Sequence, residues 1–129
     1  MKRLAGVMFW TIDLDDFSGR FCNQGKYPLI NAVRDEILNA PEISDDEPET
    51  SANDNDNDDK LYVCYYTNWS QYRPAGGTFL PYDIDPNLCT HIIFAFAKVV
   101  GETIQPYEWN DPDTEWTKGK FLSFIHELH

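Results

Sequence analysis

The stretch that decides the fold is residues 60–99, KLYVCYYTNWSQYRPAGGTFLPYDIDPNLCTHIIFAFAKV. Residues 61–66 are rich in aromatic side chains, which predicts a strand. Residues 90–97 are a short apolar run that predicts a second, buried strand. A loop rich in glycine and proline lies between them, followed by a short turn or helix at 83–88. This part of the sequence therefore predicts two strands joined by a long connection.

Upstream, residues 4–37, LAGVMFWTIDLDDFSGRFCNQGKYPLINAVRDEI, predict one strand–loop–helix unit. Residues 4–14 are almost continuously apolar and end in acids, as expected of a strand covered on both faces in a parallel sheet. Pro28 suits the first turn of a helix, and apolar residues then recur at helical spacing until Pro41 ends it. The start of the chain imitates a signal peptide, but acids follow in place of a cleavage site, so we favour the strand.

Residues 41–60 separate these two parts and carry most of the charge. They hold nine acids and one lysine, which is −8 of the net −12. Such a segment has too little apolar surface to offset its ordering entropy, so we expect a disordered linker. Its alternating Asp and Asn residues lack the Gly and Glu that a calcium-binding EF-hand loop requires. The overall negative charge argues against nucleic acid as a partner.

Length and composition limit the possible folds and sites. The chain has 129 residues, whereas a complete (β/α)₈ barrel needs about 250, so a barrel would be present only in part. The aromatic content of 15% suits either an aromatic core or a sugar-binding surface. The three cysteines and three histidines show no metal-binding spacing, and we expect neither metal nor cofactor. No apolar run approaches the ~20 residues that span a membrane.

Both quoted stretches resemble the family 18 glycoside hydrolases, the chitinases and their non-catalytic relatives. Residues 60–99, continuing into PYEWND, resemble the first strand, the following loop and the second strand of the barrel of that family. Residues 4–37 resemble the eighth strand and the final helix of the same barrel. The resemblance implies an α/β fold, a partial (β/α)₈ barrel. Because a segment that resembles the end of the domain precedes one that resembles its start, we expect a slice of a tandem protein. Its parts are the end of one barrel at 1–40, a linker at 41–60 and the start of the next barrel at 61–129. A circularly permuted barrel is the alternative.

The resemblance also implies a cleft that binds chitin through aromatic side chains. Barrel sites lie at the C-terminal ends of the strands, and an N-acetylglucosamine ring needs a flat apolar surface. The implied residues are Trp10, Tyr65 and Phe96 around the central sugar, Trp69 as a platform toward the non-reducing end, and Trp109 as an outer platform. Ordinary barrel packing is the alternative role for these rings. A tandem arrangement would place Trp10 in a different cleft from the others.

The cysteines fit the same resemblance. Cys64 and Cys89 match a family disulfide between the first strand and the start of the second, and Cys22 matches a cysteine whose partner lies upstream. These matches imply a secreted protein. Asn68-Trp69-Ser70 is a glycosylation sequon, but a glycan would crowd the cleft beside Trp69, so we expect it to be unused.

The catalytic motif of the family is absent. Family 18 chitinases use D-x-x-D-x-D-x-E, whose Glu protonates the leaving oxygen while the acetamido group of the substrate attacks. Asp13 and Asp16 begin that spacing, but Ser18 and Arg20 occupy its last two places. We therefore expect no hydrolysis by this chain alone. It is interpreted as part of a secreted multi-domain chitinase; the alternatives are a non-catalytic chitin-binding protein or an incomplete gene product.

Overall fold

The computed structural model describes residues 5–40, 60–115 and 118–120. The predicted linker, apart from Lys60, and the predicted final helix from residue 121 lie outside the described residues. The elements are β1 (Gly6–Phe9), α1 (Pro28–Leu38), β2 (Leu61–Thr67), β3 (His91–Ala95), β4 (Ala97–Val100) and β5 (Thr103–Pro106), with 3₁₀ turns at Ile12–Leu14, Asn68–Tyr72 and Pro81–Asp83.

The main sheet has three parallel strands in the order β1-β2-β3. Met8 pairs with Val63, and Tyr65 pairs with Ile93. Gly6 is needed where β1 meets β2, because a β-carbon there would collide with the carbonyl of Leu61. This order is the one expected when a last barrel strand adjoins a first and a second strand. The α/β class and the parallel sheet agree with a partial barrel, and the described residues do not close one.

The predicted strand at 4–14 is wrong in length and in burial. The strand ends at Phe9, because the backbone turns into the 3₁₀ helix Ile12–Leu14, which puts Ile12 into the core. The strand is also not covered on both faces. Met8 is 59% exposed, since no described element packs over its side of the sheet. The helix beginning at Pro28 is confirmed, although Ile30 is its one buried residue among those described.

The predicted strand at 90–97 is two strands. β3 ends at Ala95, and the chain continues from Ala97 into β4, which pairs antiparallel with β5. The periodicity of the sequence did not predict this hairpin, because an apolar run does not show where its backbone changes partners. Exposed Val99 and Ile104 face each other across the hairpin.

The core lies on one face of the main sheet. Tyr66 and Phe79 are fully buried, and the ring of Phe79 meets that of Phe17 edge to face at 4.7 Å between centroids. The remaining buried apolar members are Ile12, Tyr27, Ile30, Cys64, Ile84 and Leu88. The opposite face of the sheet carries partly exposed Met8, Leu61 and Ile93.

The parts before and after the acidic segment pack together. The N–H of Leu61 donates to the carbonyl of Ala5 at 2.9 Å, and the Tyr27 hydroxyl donates to the carbonyl of Asp83 at 2.9 Å. The Arg34 guanidinium donates to the carbonyl of Asn87 at 3.1 Å. Residues 5–40 therefore supply a strand and a helix to the same layered unit as residues 60–115.

Candidate functional site

Four aromatic side chains meet at the C-terminal edge of the parallel sheet. The ring centroid of Trp10 lies 5.1 Å from that of Tyr65, 6.1 Å from that of Trp69 and 5.8 Å from that of Phe96. The rings of Trp69 and Phe96 are 5.6 Å apart. We call these four residues the aromatic cluster. Trp10 is 49% exposed and Phe96 is 44% exposed, so the cluster offers ring surface to solvent.

The parallel sheet explains why residues so distant in sequence meet. Trp10 follows the end of β1, and Phe96 follows the end of β3. Trp69 lies in the 3₁₀ turn that follows β2 directly. Because parallel strands end at the same edge of a sheet, residues at these ends converge. The structure thus brings together four of the five predicted ring positions.

The position of Trp10 differs from the expectation for a tandem protein. That arrangement would place Trp10 in another cleft, yet its ring contacts the rings of Tyr65, Trp69 and Phe96 in this structure. The reason is the pairing of β1 with β2, which sets the end of one beside the end of the other.

Trp109 lies apart from the cluster, in the loop that follows β5. It is 74% exposed, and its neighbour is Tyr72, which was not predicted as a site residue. The Tyr72 hydroxyl donates to Glu108 at 2.9 Å. This hydrogen bond raises the pKa of Tyr72, and the Trp109 side chain lowers it by a smaller amount. Tyr72 and Trp109 together form a second exposed aromatic position.

Asp15 and Asp16, which follow β1, have structural roles. Asp15 accepts the N–H of Ile30 at 3.0 Å and that of Leu29 at 3.3 Å, which caps the N-terminus of α1. Asp16 accepts the N–H groups of Phe21 and Cys22, each at 2.8 Å. Burial opposes ionisation of Asp16, but these N–H donors outweigh it and lower the pKa of its carboxyl below 3.8.

Asn68 joins the cluster to the loop that carries Trp109. Its side-chain amide donates to the carboxylate of Asp111 at 2.8 Å and to the carbonyl of Phe96 at 3.3 Å. Asn68 is fully buried, so the sequon at this position is closed in the folded chain. Short-range sequence patterns did not indicate Asn68 or Asp111, because their pairing depends on how two loops pack.

The disulfide between Cys64 and Cys89 is confirmed, with the two Cα atoms 6.1 Å apart. Cys22 is a free, exposed thiol. Among the described residues, no group of three or more His, Cys, Asp or Glu side chains is placed to hold a metal ion. In the same part of the chain, no helix is long and apolar enough to cross a membrane.

Comparison with known proteins shows what this chain is similar to. Residues 61–127 match the family described as glycosyl hydrolases family 18. An endochitinase of Brugia malayi is 60% identical over 60 residues, which cover 45% of this chain and 12% of that protein. Probable chitinase 10 of Drosophila melanogaster is 28% identical over 172 aligned positions, covering 88% of this chain and 8% of that protein. Chitotriosidase-1 of Mus musculus is 57% identical over 49 residues, covering 38% of this chain and 11% of that protein. The chain therefore spans only a small part of the length of these relatives.

Proposed function

Because this chain belongs to family 18 of the glycosyl hydrolases, we propose that it is part of a longer, secreted chitinase and contributes to binding β-1,4-linked N-acetylglucosamine polymers. The observation that carries this proposal is the aromatic cluster. Its rings come from the ends of three parallel strands and from the turn after β2, and they form one continuous, partly exposed apolar surface.

The geometry of the cluster suits a sugar ring. The apolar face of a pyranose packs on flat side chains, while its hydroxyl and acetamido groups remain free to find polar partners at the rim. Trp10 and Phe96 are nearly parallel, with 24° between their planes, and both have exposed surface. We assign the central sugar to this pair with Tyr65, and a neighbouring sugar to Trp69. Trp109 with Tyr72 is the proposed outer platform.

Hydrolysis belongs, on this proposal, to the full-length protein. The 129 residues contain no D-x-x-D-x-D-x-E motif, so the acid that protonates the leaving oxygen would come from the rest of the polypeptide. Asp15 and Asp16 are engaged by backbone N–H groups and Asp13 by Arg73, which leaves these acids in structural roles. The second candidate is a non-catalytic chitin-binding protein, which the aromatic cluster also fits, because stacking of a sugar on rings requires no catalytic acid.

For the larger protein we propose the tandem arrangement, with the end of one barrel at 1–40, a linker at 41–60 and the start of the next barrel at 61–129. Support comes from the family match, which begins at residue 61, and from the Drosophila relative, whose alignment covers 88% of this chain and so extends into the first part. In that arrangement each barrel pairs its own last strand with its own first strand, and the pairing of β1 with β2 in this chain reproduces that edge, so the aromatic cluster and its contacts stand for the site that each barrel would form. Secretion is supported by the disulfide.

Titration of the chain with chitohexaose, followed by tryptophan fluorescence and calorimetry, tests the binding proposal. We expect saturable binding that Trp10→Ala and Trp69→Ala each weaken by at least about fivefold, because aromatic anchors dominate such contacts. Phe21→Ala is the matched control, since Phe21 is an exposed ring (69%) in a different loop, outside the cluster. Cellohexaose, which lacks acetamido groups, should bind more weakly. Absence of binding, or equal binding by all three variants, would contradict the proposal.

A further inference from the structure

A buried carboxylate lies beneath the aromatic cluster and is not explained by the sugar-stacking role of the rings. Asp13 is 4% exposed and follows Trp10 closely in sequence. Asp13 lies in the 3₁₀ turn Ile12–Leu14, which follows β1. Its side chain contacts Thr67 and Arg73, which both come after the acidic segment in sequence. Asp13 therefore links the backbone that carries Trp10 to a different region of the site.

The contacts of Asp13 are arranged around one structural element. Thr67 is the residue immediately before the 3₁₀ turn Asn68–Tyr72, and Arg73 is the residue immediately after it. The Thr67 hydroxyl donates to one carboxylate oxygen of Asp13 at 3.1 Å, and the other oxygen lies 2.5 Å from a guanidinium nitrogen of Arg73. Asp13 thus holds both ends of the turn that carries Trp69.

Arg73 also contacts the backbone of Asp13. Its second terminal nitrogen donates to the backbone carbonyl of Asp13 at 3.1 Å. One guanidinium therefore engages both the side chain and the main chain of a single residue, which restricts the rotation and the translation of that segment. The Thr11 hydroxyl adds a further hydrogen bond to the Asp13 carboxylate.

We propose that Asp13 and Arg73 are positioning residues that hold Trp10 against Trp69 and so shape the sugar-binding surface. This inference rests on the proposed function of the aromatic cluster. Asp13 is buried and Arg73 is partly exposed, and an ion pair of this kind adds little stability compared with a well-packed apolar pair. The hydrogen bonds that accompany it, from Thr67 to the Asp13 carboxylate and from Arg73 to the Asp13 carbonyl, have defined directions. The feature that these directions determine here is the 6.1 Å separation between the rings of Trp10 and Trp69.

The experiment compares Asp13→Asn and Arg73→Lys with the unaltered chain. Asp13→Asn keeps the shape of the side chain and removes its charge, and Arg73→Lys keeps the charge and removes the two-point contact. Asp35→Asn is the matched control, because it removes an exposed carboxylate from α1. The readouts are near-ultraviolet circular dichroism, which reports the mutual orientation of the two indoles, and chitohexaose affinity.

We expect both variants to reduce the coupled indole signal and to weaken binding by at least about fivefold, with the control unchanged. We call the Asp13–Arg73 pair the clamp. The double variant Asp13→Asn/Trp10→Ala should bind less than about twofold more weakly than Asp13→Asn alone, because the clamp acts through Trp10. A purely structural role would instead give additive losses. If Asp13→Asn does not fold, Arg73→Lys decides the question by the same criteria.

The outcomes separate the two proposals. If the unaltered chain does not bind chitohexaose, the proposed function fails, and the dichroism of the variants still decides whether the clamp orients the indoles. If the unaltered chain binds and both variants match it in dichroism and affinity, the clamp is refuted while the proposed function stands.

Discussion

Reduction of the disulfide between Cys64 and Cys89 should lower the free energy of unfolding by about 3.5 kcal/mol. The bond joins residues with a sequence separation of 25. For a loop of that length the entropy removed from the unfolded chain is about 12 cal/mol/K, which at room temperature amounts to about 3.5 kcal/mol. Reduction leaves both side chains in place, and Cys64 stays within the core, so no cavity adds to this figure.

The assay is urea unfolding followed by tryptophan fluorescence, with and without a phosphine reductant. It is best performed in a Cys22→Ser background, because Cys22 is an exposed thiol that would exchange with the disulfide. Without reductant, Cys22→Ser should match the unaltered chain. A decrease smaller than about 1 kcal/mol on reduction would refute the reasoning, and would show that packing already restricts the loop in the unfolded chain.

Two further changes test the core and the loop after β1. Phe79→Ala should destabilise the fold by about 3–5 kcal/mol in the same urea assay, because a fully buried ring that contacts Phe17 is lost; a cost below about 1 kcal/mol would contradict this packing. Because the pKa of Asp16 is lower in the fold than in the unfolded chain, its contribution to stability is present above pH 3.8 and lost as the pH falls through the folded pKa. Asp16→Asn should therefore be less stable at neutral pH and lose less stability on acidification than the unaltered chain, and parallel profiles would contradict the assignment.

The helix and the strands were predictable where local chemistry determines them. Pro28 begins α1 as expected, because its ring fixes a helical φ and removes a donor that has no partner in a first turn. The aromatic stretch after Lys60 forms β2 as expected. The strand at 4–14 and the strand at 90–97 were predicted too long, because apolar composition indicates burial without showing where the chain turns into a 3₁₀ helix or changes sheet.

The residues of the candidate site were predictable from the resemblance, but their mutual placement was not. Trp10, Tyr65, Trp69 and Phe96 were all named in advance, and their role in substrate binding stays a prediction. Their contacts arise from the pairing of β1 with β2, a long-range choice that no local pattern specifies. Tyr72 was missed because a tyrosine in a loop carries no local signal of which ring it will adjoin.

The sequence by itself determined the family resemblance, the class of fold and the absence of the catalytic motif from these residues, because each depends on residue identity and short-range order. The disulfide partners followed only from the family resemblance. Tertiary structure alone decided that Asp13 holds both ends of the turn around Trp69 and that Asp15 caps a helix distant from it in sequence. A carboxylate can be satisfied by any nearby donor. Which donor is near depends on how the strands and loops pack together, and that packing is settled only when the whole chain folds.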